Sequence, residues 1–358
     1  MRITDVKVIK TPEEAKDLLQ IYDHSGLSAV NTCPKYGLIR YGKQLVMPGT
    51  GRAMALEAGE ASHWGFAAVR LIQFMLYSDH PYSVAVGELH GARIFGEKSF
   101  SEVRNASRVG STERENVINA AHQAVYESGF YDEPSDLRRT VANICDSLTA
   151  YVDRWDMTRY PIWYENNTLE TRIGVEIPID MLISMTVDGQ RLSVRYCGKI
   201  DGLHWDRDDK KVHVIHENKT GSRLDDAWLA QWRLSHQITG YCVGATVELD
   251  IQVDKAYVIG MRIPTGRDVG SCIRPETVNR NPQMLEDFFR WVAHTLKEQI
   301  IPYQDDVLHA PMYTHSCNRY FRECPHLPLC TASDEEQKQI LGEMEVKQWS
   351  PLDSKVQG

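Results

Sequence analysis

The chain has 358 residues, enough for two packing units or one large domain with insertions, and for a sizeable core. Hydrophobic residues at 42% and charged ones at 25% are ordinary for a globular protein, which excludes a disordered, collagenous or small disulfide-stapled chain. With 40 Lys and Arg against 49 Asp and Glu the net charge is −9, so this is no polycation that coats nucleic acid by charge alone, and any contact with DNA has to be local.

The N-terminal MRITDVKVIKTPEEAKDLLQ is polar, lacks an apolar signal stretch, and is followed by no run of about 18 apolar residues, which predicts a cytoplasmic protein with no membrane segment. In that compartment the eight cysteines are expected to be reduced. A cluster of them then argues for metal ligation before disulfides. Residues 25–42, small, turn-forming and aromatic, predict a short ordered segment leading into a helix and contain Cys33. From Gly51 to Tyr77 the chain has no proline and its apolar residues recur at three- and four-residue steps, predicting one long helix. Gly59 and His63 share a face of it, where the glycine is expected to clear space around the imidazole.

Residues 82–110, punctuated by glycine, are compatible with short strands. Helices are predicted over 112–128 and 134–157, the second opening at Pro134-Ser135-Asp136. The character then changes. Three strand-like runs (RIGVEIPIDMLISMTV, RLSVRYCGKIDGLHWD and KVHVIHENKT) are separated by turns at Asp188-Gly189 and Asp206-Arg207-Asp208-Asp209, an antiparallel meander. A helix over 225–244, a strand in IQVDKAYVIGMRI and an amphipathic helix over 282–302 follow, then a Cys/His/Pro-rich segment at 313–330 and a charged tail. No GxxxxGK[ST] occurs, so an ATP-driven motor is not expected in this chain.

In KVHVIHENKT, alternation places Val212 and Val214 on one face and Ile215, Glu217 and Lys219 on the other. One hairpin upstream, Asp201 stands beside a glycine, where a neighbouring strand can set its carboxylate against Glu217. Two carboxylates that close repel unless a cation lies between them, and oxygen ligands suit Mg²⁺ or Mn²⁺. Lys219 beside it is suited to positioning a water or neutralising charge on a phosphate. The plainer alternative has Asp201 capping a turn and Glu217 and Lys219 as a solvated ion pair.

Gly59-x3-His63, Gly198-x-x-Asp201, Glu217-Asn218-Lys219 and Gln237-x3-Tyr241, in that order, resemble the PD-(D/E)xK nuclease superfamily, and the His63 helix points to its RecB-like exonuclease branch, which includes CRISPR-associated and phage-encoded proteins. The resemblance runs over roughly residues 28–330. It implies that His63, Asp201 and Glu217 hold a catalytic Mg²⁺ or Mn²⁺, that Lys219 activates the attacking water, and that Gln237 and Tyr241 line the DNA path. Glu176 matches an acidic position expected to support the ligands from behind. Trp228 and Trp232 either stack on single-stranded DNA or pack their helix onto the sheet, and Arg195, Arg223 and Arg233 are candidates for phosphate contacts.

Cys33, Cys317, Cys324 and Cys330 resemble the iron-sulfur staple that some of these nucleases carry, with one departure: six residues separate Cys317 from Cys324 where the familiar pattern has a close CxxC. A four-iron cluster, zinc with His315 or His326 substituting, or no metal are the alternatives. Cys145, Cys197, Cys242 and Cys272, among apolar neighbours, read as core.

The expected fold is α/β: a restriction-endonuclease-like core with a central mixed sheet over 172–262 flanked by helices. Around it lie an N-terminal segment (1–50), a helical lobe (51–171), the nuclease core itself (172–310), a cysteine-rich segment (311–335) and the tail (336–358). The expected activity is metal-dependent hydrolysis of DNA at ends or in single strands, with a helicase or recombinase in trans as a partner. A non-cleaving DNA-end clamp and an RNA-directed nuclease are the competing readings.

Overall fold

A computed structural model describes residues 1–16, 20–49, 53–154, 160–206, 212–264, 266, 268–319, 322–348 and 350–352. Its centre is a mixed sheet of seven strands: β1 (Ile3–Lys10), β2 (Ile21–Tyr22), β3 (Val175–Val187), β4 (Gln190–Trp205), β5 (His213–Gly221), β6 (Lys255–Arg262) and β7 (Ile273–Asn279). The order is β1-β3-β4-β5-β6-β7, with β2 parallel to β4 at Arg195 and Tyr196. β3, β4 and β5 form the expected antiparallel meander, and β3 and β4 turn at Asp188-Gly189. Residues 207–209 of the second expected turn lie outside the described residues. β5 and β6 are parallel, so the chain between them must cross over, and it does so through helices.

The helices include α1 (His24–Thr32), α2 (Met54–Tyr77), α3 (Ser83–Phe95), α4 (Glu97–Ala106), α5 (Glu113–Glu127), α6 (Val141–Arg154), α7 (Asp226–Ala230), α8 (His236–Leu249) and α9 (Pro282–His294), the last continuing in wider π-helical turns to Ile300. Gly51 and Arg52, at the start of the expected long helix, lie outside the described residues. No described helix is long and apolar enough to cross a membrane.

β6 shows how the sheet is covered on both faces. Ala256 and Val258 join a core with Tyr241 and Ala245 of α8 and Phe288 and Val292 of α9, while Ile259 and Met261 join a second core with α2, α5 and α6. Alternation of period two thus feeds two apolar layers. The helices of the 51–171 region therefore share their core with β6 and β7.

The region 82–110 forms helices over Ser83–Phe95 and Glu97–Ala106, not strands. Gly87 and Gly91 do not punctuate strands: an added Cβ would lie 2.3 Å from Met75 and 2.2 Å from the Phe100 ring, so they form the groove through which α3 packs on α2 and α4. The helix expected from residue 134 begins at Val141, because Asp136 folds back on the Arg138 and Arg139 amides and Thr140 accepts from Asn143 N at 3.1 Å; residues 155–157 at its expected end lie outside the described residues. The helix expected over 225–244 is two, broken at 231–235. β1 and β7 were not foreseen; they are edge strands whose half-exposed sequences carry a weak alternation.

The break between α7 and α8 is held by Arg280, which follows β7. Its guanidinium donates to the carbonyls of Trp232 (3.2 Å), Arg233 (3.1 Å), Ser235 (3.0 Å) and Asn279 (3.1 Å) and to Thr239 Oγ1 (2.8 Å). Arg280→Met removes these five hydrogen bonds from the junction, and urea unfolding is expected to show a loss of about 2–4 kcal/mol.

Candidate metal centre and active site

Asp201 and Glu217 face each other because β4 and β5 pair in register through Gly202–His216. They are 5% and 1% exposed, so the solvated ion pair of the plainer reading is not what forms. Asp201 Oδ2 accepts from the Asn218 backbone N–H at 2.8 Å, and its Oδ1 lies 3.3 Å from His63 Nδ1 of α2. Lys219 Nζ is 2.6 Å from Glu217 Oε1, on the same side of the strand as the alternation requires. Gln237 donates to Glu217 Oε1 at 3.3 Å and to the Tyr241 hydroxyl at 3.0 Å. Their spacing of four on α8 does bring them to one place, but they turn onto Glu217, and Tyr241 is buried.

Glu176 stands closer to the centre than the sequence placed it. His63, Glu176 and Asp201 form the one group of three, among the described residues, whose ligand atoms all lie within 4.8 Å of one another. Glu176, the second residue of β3, has left-handed backbone (φ 50°), a conformation costly for a residue with a side chain and typical of functional positions. Its Oε2 is 3.0 Å from Lys199 Nζ. Lys199 was not singled out from sequence, although it lies two residues before Asp201 on the same strand, so the period of two would have placed it on Asp201's side.

The Oε1 of Glu176 and the Oε2 of Glu217 are buried and accept no hydrogen bond. Orphaned carboxylate oxygens are costly in a protein interior and are the donors a hard divalent cation takes. The residues therefore fit a Mg²⁺- or Mn²⁺-type ion, with His63, Glu176 and Asp201 nearest one another and Glu217 adjoining.

The charges of the group are strongly coupled to burial and to one another. Burial raises the Asp201 carboxyl, but His63, Arg70 and Lys219 overcome it and hold the group well below the usual carboxylate range. Burial and the Asp201 carboxylate push Glu217 up to about 7, against Lys219 and His63. Burial lowers Lys219, yet Glu217 and Asp201 outweigh it, so the amine stays protonated. Burial lowers the His63 imidazole, and Asp201 together with Glu176 outweighs it, so the group is raised.

Two glycines of the sequence pattern are explained by what passes over them. A Cβ on Gly198 would meet the Tyr241 ring at 3.1 Å, and one on Gly202 would meet Arg70 Nε at 2.5 Å. Gly59 differs from expectation: it faces Thr220 of β5 at ordinary contact distance, 3.4 Å, and does not clear space around His63.

Trp228 packs on β6, where a Cβ on Gly260 would lie 2.5 Å from its ring, and Lys219 Nζ lies 5.7 Å from the centre of the Trp232 ring. Arg195 is not open to a phosphate, being buried and paired with Asp180 at 2.6 Å and 2.9 Å. Arg233 pairs with Glu276 at 2.8 Å, and Arg223 is exposed.

The four singled-out cysteines converge. A two-stranded hairpin pairs Asn318 with Glu323, so the six-residue interval folds back and Cys324 N donates to Cys317 O at 2.7 Å. A helical turn (Leu327–Thr331) then delivers Cys330, and the backbone bond from Lys35 N to Pro311 O at 3.1 Å ties the Cys33 segment alongside. Burial raises the Cys330 thiol, and Cys33, Cys324 and Cys317 all add to that effect. None of the eight cysteines is in a disulfide, and Cys145, Cys197, Cys242 and Cys272 are buried as expected of core residues.

No protein-family model matches this chain, and neither does any curated protein.

The sign of the Glu217 shift gives a test. A carboxyl whose folded pKa is raised binds its proton more tightly when folded, so its contribution to metal-free stability is lost as pH rises between about 4.5 and about 7. Glu217→Gln removes that loss: relative to wild type it is expected to be more stable at pH 8 than at pH 5 by about 2 kcal/mol, read by urea unfolding in EDTA.

Proposed function

We propose that the chain is a divalent-metal-dependent nuclease acting on DNA ends or single strands, built on a restriction-endonuclease-like core of the RecB-like type. One observation carries the reading: two buried carboxylates on adjacent strands, with orphaned oxygens at Glu176 and Glu217, share a pocket with an imidazole and a protonated lysine. The antiparallel β3-β4-β5 meander followed by a helical crossover to β6 agrees with it.

A divalent cation bound there supplies Lewis acidity toward a phosphoryl oxygen and acidifies a water. His63, Glu176 and Asp201 would hold it, with Glu217 reaching the same volume. Lys219, kept as an ammonium, is a donor: it orients the attacking water and offsets charge developing on the phosphate, and proton abstraction by it is disfavoured. Gln237 and Tyr241 keep Glu217 in place.

The cysteine site is read as a four-iron cluster. Four thiols are the ligand set such a cluster takes, and zinc is the alternative.

End-labelled single- and double-stranded DNA incubated with Mn²⁺, Mg²⁺ or EDTA tests the activity. Cutting is expected with metal only, and Lys219→Ala and Asp201→Ala should each lower it by roughly 10²–10⁴-fold. Tight binding without cutting supports the end clamp, and cleavage confined to RNA supports the RNA-directed enzyme. Anaerobically purified protein is expected to be brown, with about four irons and four sulfides per chain; a colourless, iron-free and folded preparation refutes the cluster.

A further inference from the structure

Seven residues beyond His63, and so on nearly the same side of α2, lies Arg70, which is fully buried. A buried guanidinium needs an answer to its charge, and of the three Arg70 nitrogens only Nη2 finds an acceptor, Nε and Nη1 being buried without one. Its Nη2 donates to the side-chain oxygen of Asn218 and, at 3.4 Å, to the His216 carbonyl. Asn218 is the residue between Glu217 and Lys219. Alternation turns its side chain away from theirs, toward α2 and α6, where it lies against the Tyr151 hydroxyl. Arg70 thus grips β5 on both sides of Glu217.

The same guanidinium lies over the residue that follows Asp201, since only a glycine at position 202 leaves room for it. The imidazoles of His204 and His216, stacked 3.8 Å apart beside it, are kept neutral by burial, so its countercharge is Asp201. Asp201, in turn, is oriented by the Asn218 N–H, which fixes Oδ2 and leaves Oδ1 turned to His63.

We propose that Arg70, Asn218 and Tyr151 form a clamp behind the sheet that sets the Asp201 and Glu217 carboxylates at cation-binding distance, with Arg70 and Asn218 as positioning residues. This rests on the reading of the acidic group as a cation site. Groups that orient ligands from behind typically change metal affinity by 10–100-fold. The sign separates a clamp from a mere charge: Arg70 is a cation near a cation site, so by Coulomb's law alone its removal would tighten metal binding, whereas loss of a clamp weakens it.

The experiment is calorimetric titration of the full chain with Mn²⁺, without DNA, in wild type, Arg70→Met, Arg70→Lys, Asn218→Leu, Tyr151→Phe and the Arg70→Met/Asn218→Leu pair, each checked for folding by circular dichroism. The expected result is a Kd raised tenfold or more by Arg70→Met and by Asn218→Leu, with Arg70→Lys recovering part of the loss. The pair should be no worse than the poorer single variant, as for residues acting as one unit. Tyr151→Phe, which removes one oxygen and is the variant surest to fold, should raise Kd about two- to fivefold. Folded Asn218→Leu or Tyr151→Phe protein that binds Mn²⁺ as tightly as wild type, or tighter binding by Arg70→Met, overturns the clamp. Wild type that binds no Mn²⁺ overturns it together with the cation site. Mn²⁺ binding that responds to the clamp in a wild type that cuts no nucleic acid sustains the proposal and ends the nuclease reading.

Discussion

Two carboxylates buried on neighbouring strands are the constraint around which the rest of the molecule is arranged. Asp201 and Glu217 are brought together by the register of β4 and β5, and at that separation, away from water, their mutual repulsion must be answered by positive charge. The metal-free protein answers it with His63 and Lys219 in the pocket and Arg70 behind the sheet. The balance is uneven: Asp201 is held ionised while Glu217 is pushed toward neutrality. The Glu176 and Glu217 oxygens that accept no hydrogen bond are donors that could hold a cation.

The groups around the two carboxylates come from the sheet and from helices on both of its faces, which ties the site to the three layers of the fold. α2 carries both His63 and Arg70 to one face of the sheet and shares a core with β6 and β7. α8 covers the other face and supplies Gln237 and Tyr241, and Arg280 fixes the junction through which α8 is delivered. The close approaches are made at glycines, Gly198 under Tyr241 and Gly202 under Arg70, so the glycines flanking Asp201 are determined by the helices above and below them. The Cys33 segment and the segment that leads to the other three cysteines are tied by the backbone bond from Lys35 N to Pro311 O.

Much of this was legible in the residues. Period-two alternation from Val175 to Gly221 gave the meander, and the proline-free apolar run gave α2. The spacing of Gln237 and Tyr241 put both on one helical face. What was not legible has physical reasons. Glycines at 87 and 91 were read as strand punctuation because sequence shows the missing Cβ but not the Met75 and Phe100 side chains that need its place. Edge strands β1 and β7 hide because only one side of each is paired and their burial is partial. Arg195, a phosphate candidate by composition, is consumed by Asp180.

The sequence by itself determined which chemistry is available: acids, an imidazole and a lysine at spacings that strands and helices turn into faces, since those periodicities are local properties of the backbone. Tertiary structure decided which of them meet. Glu176 joins His63 and Asp201, Lys199 comes to Glu176, and Arg70 and Asn218 join across the interface of α2 and β5, because these contacts depend on strand register and helix docking between residues tens to more than a hundred positions apart. Local spacing cannot encode such distances, and the pKa values follow them, since burial and neighbouring charge exist only once the chain has folded.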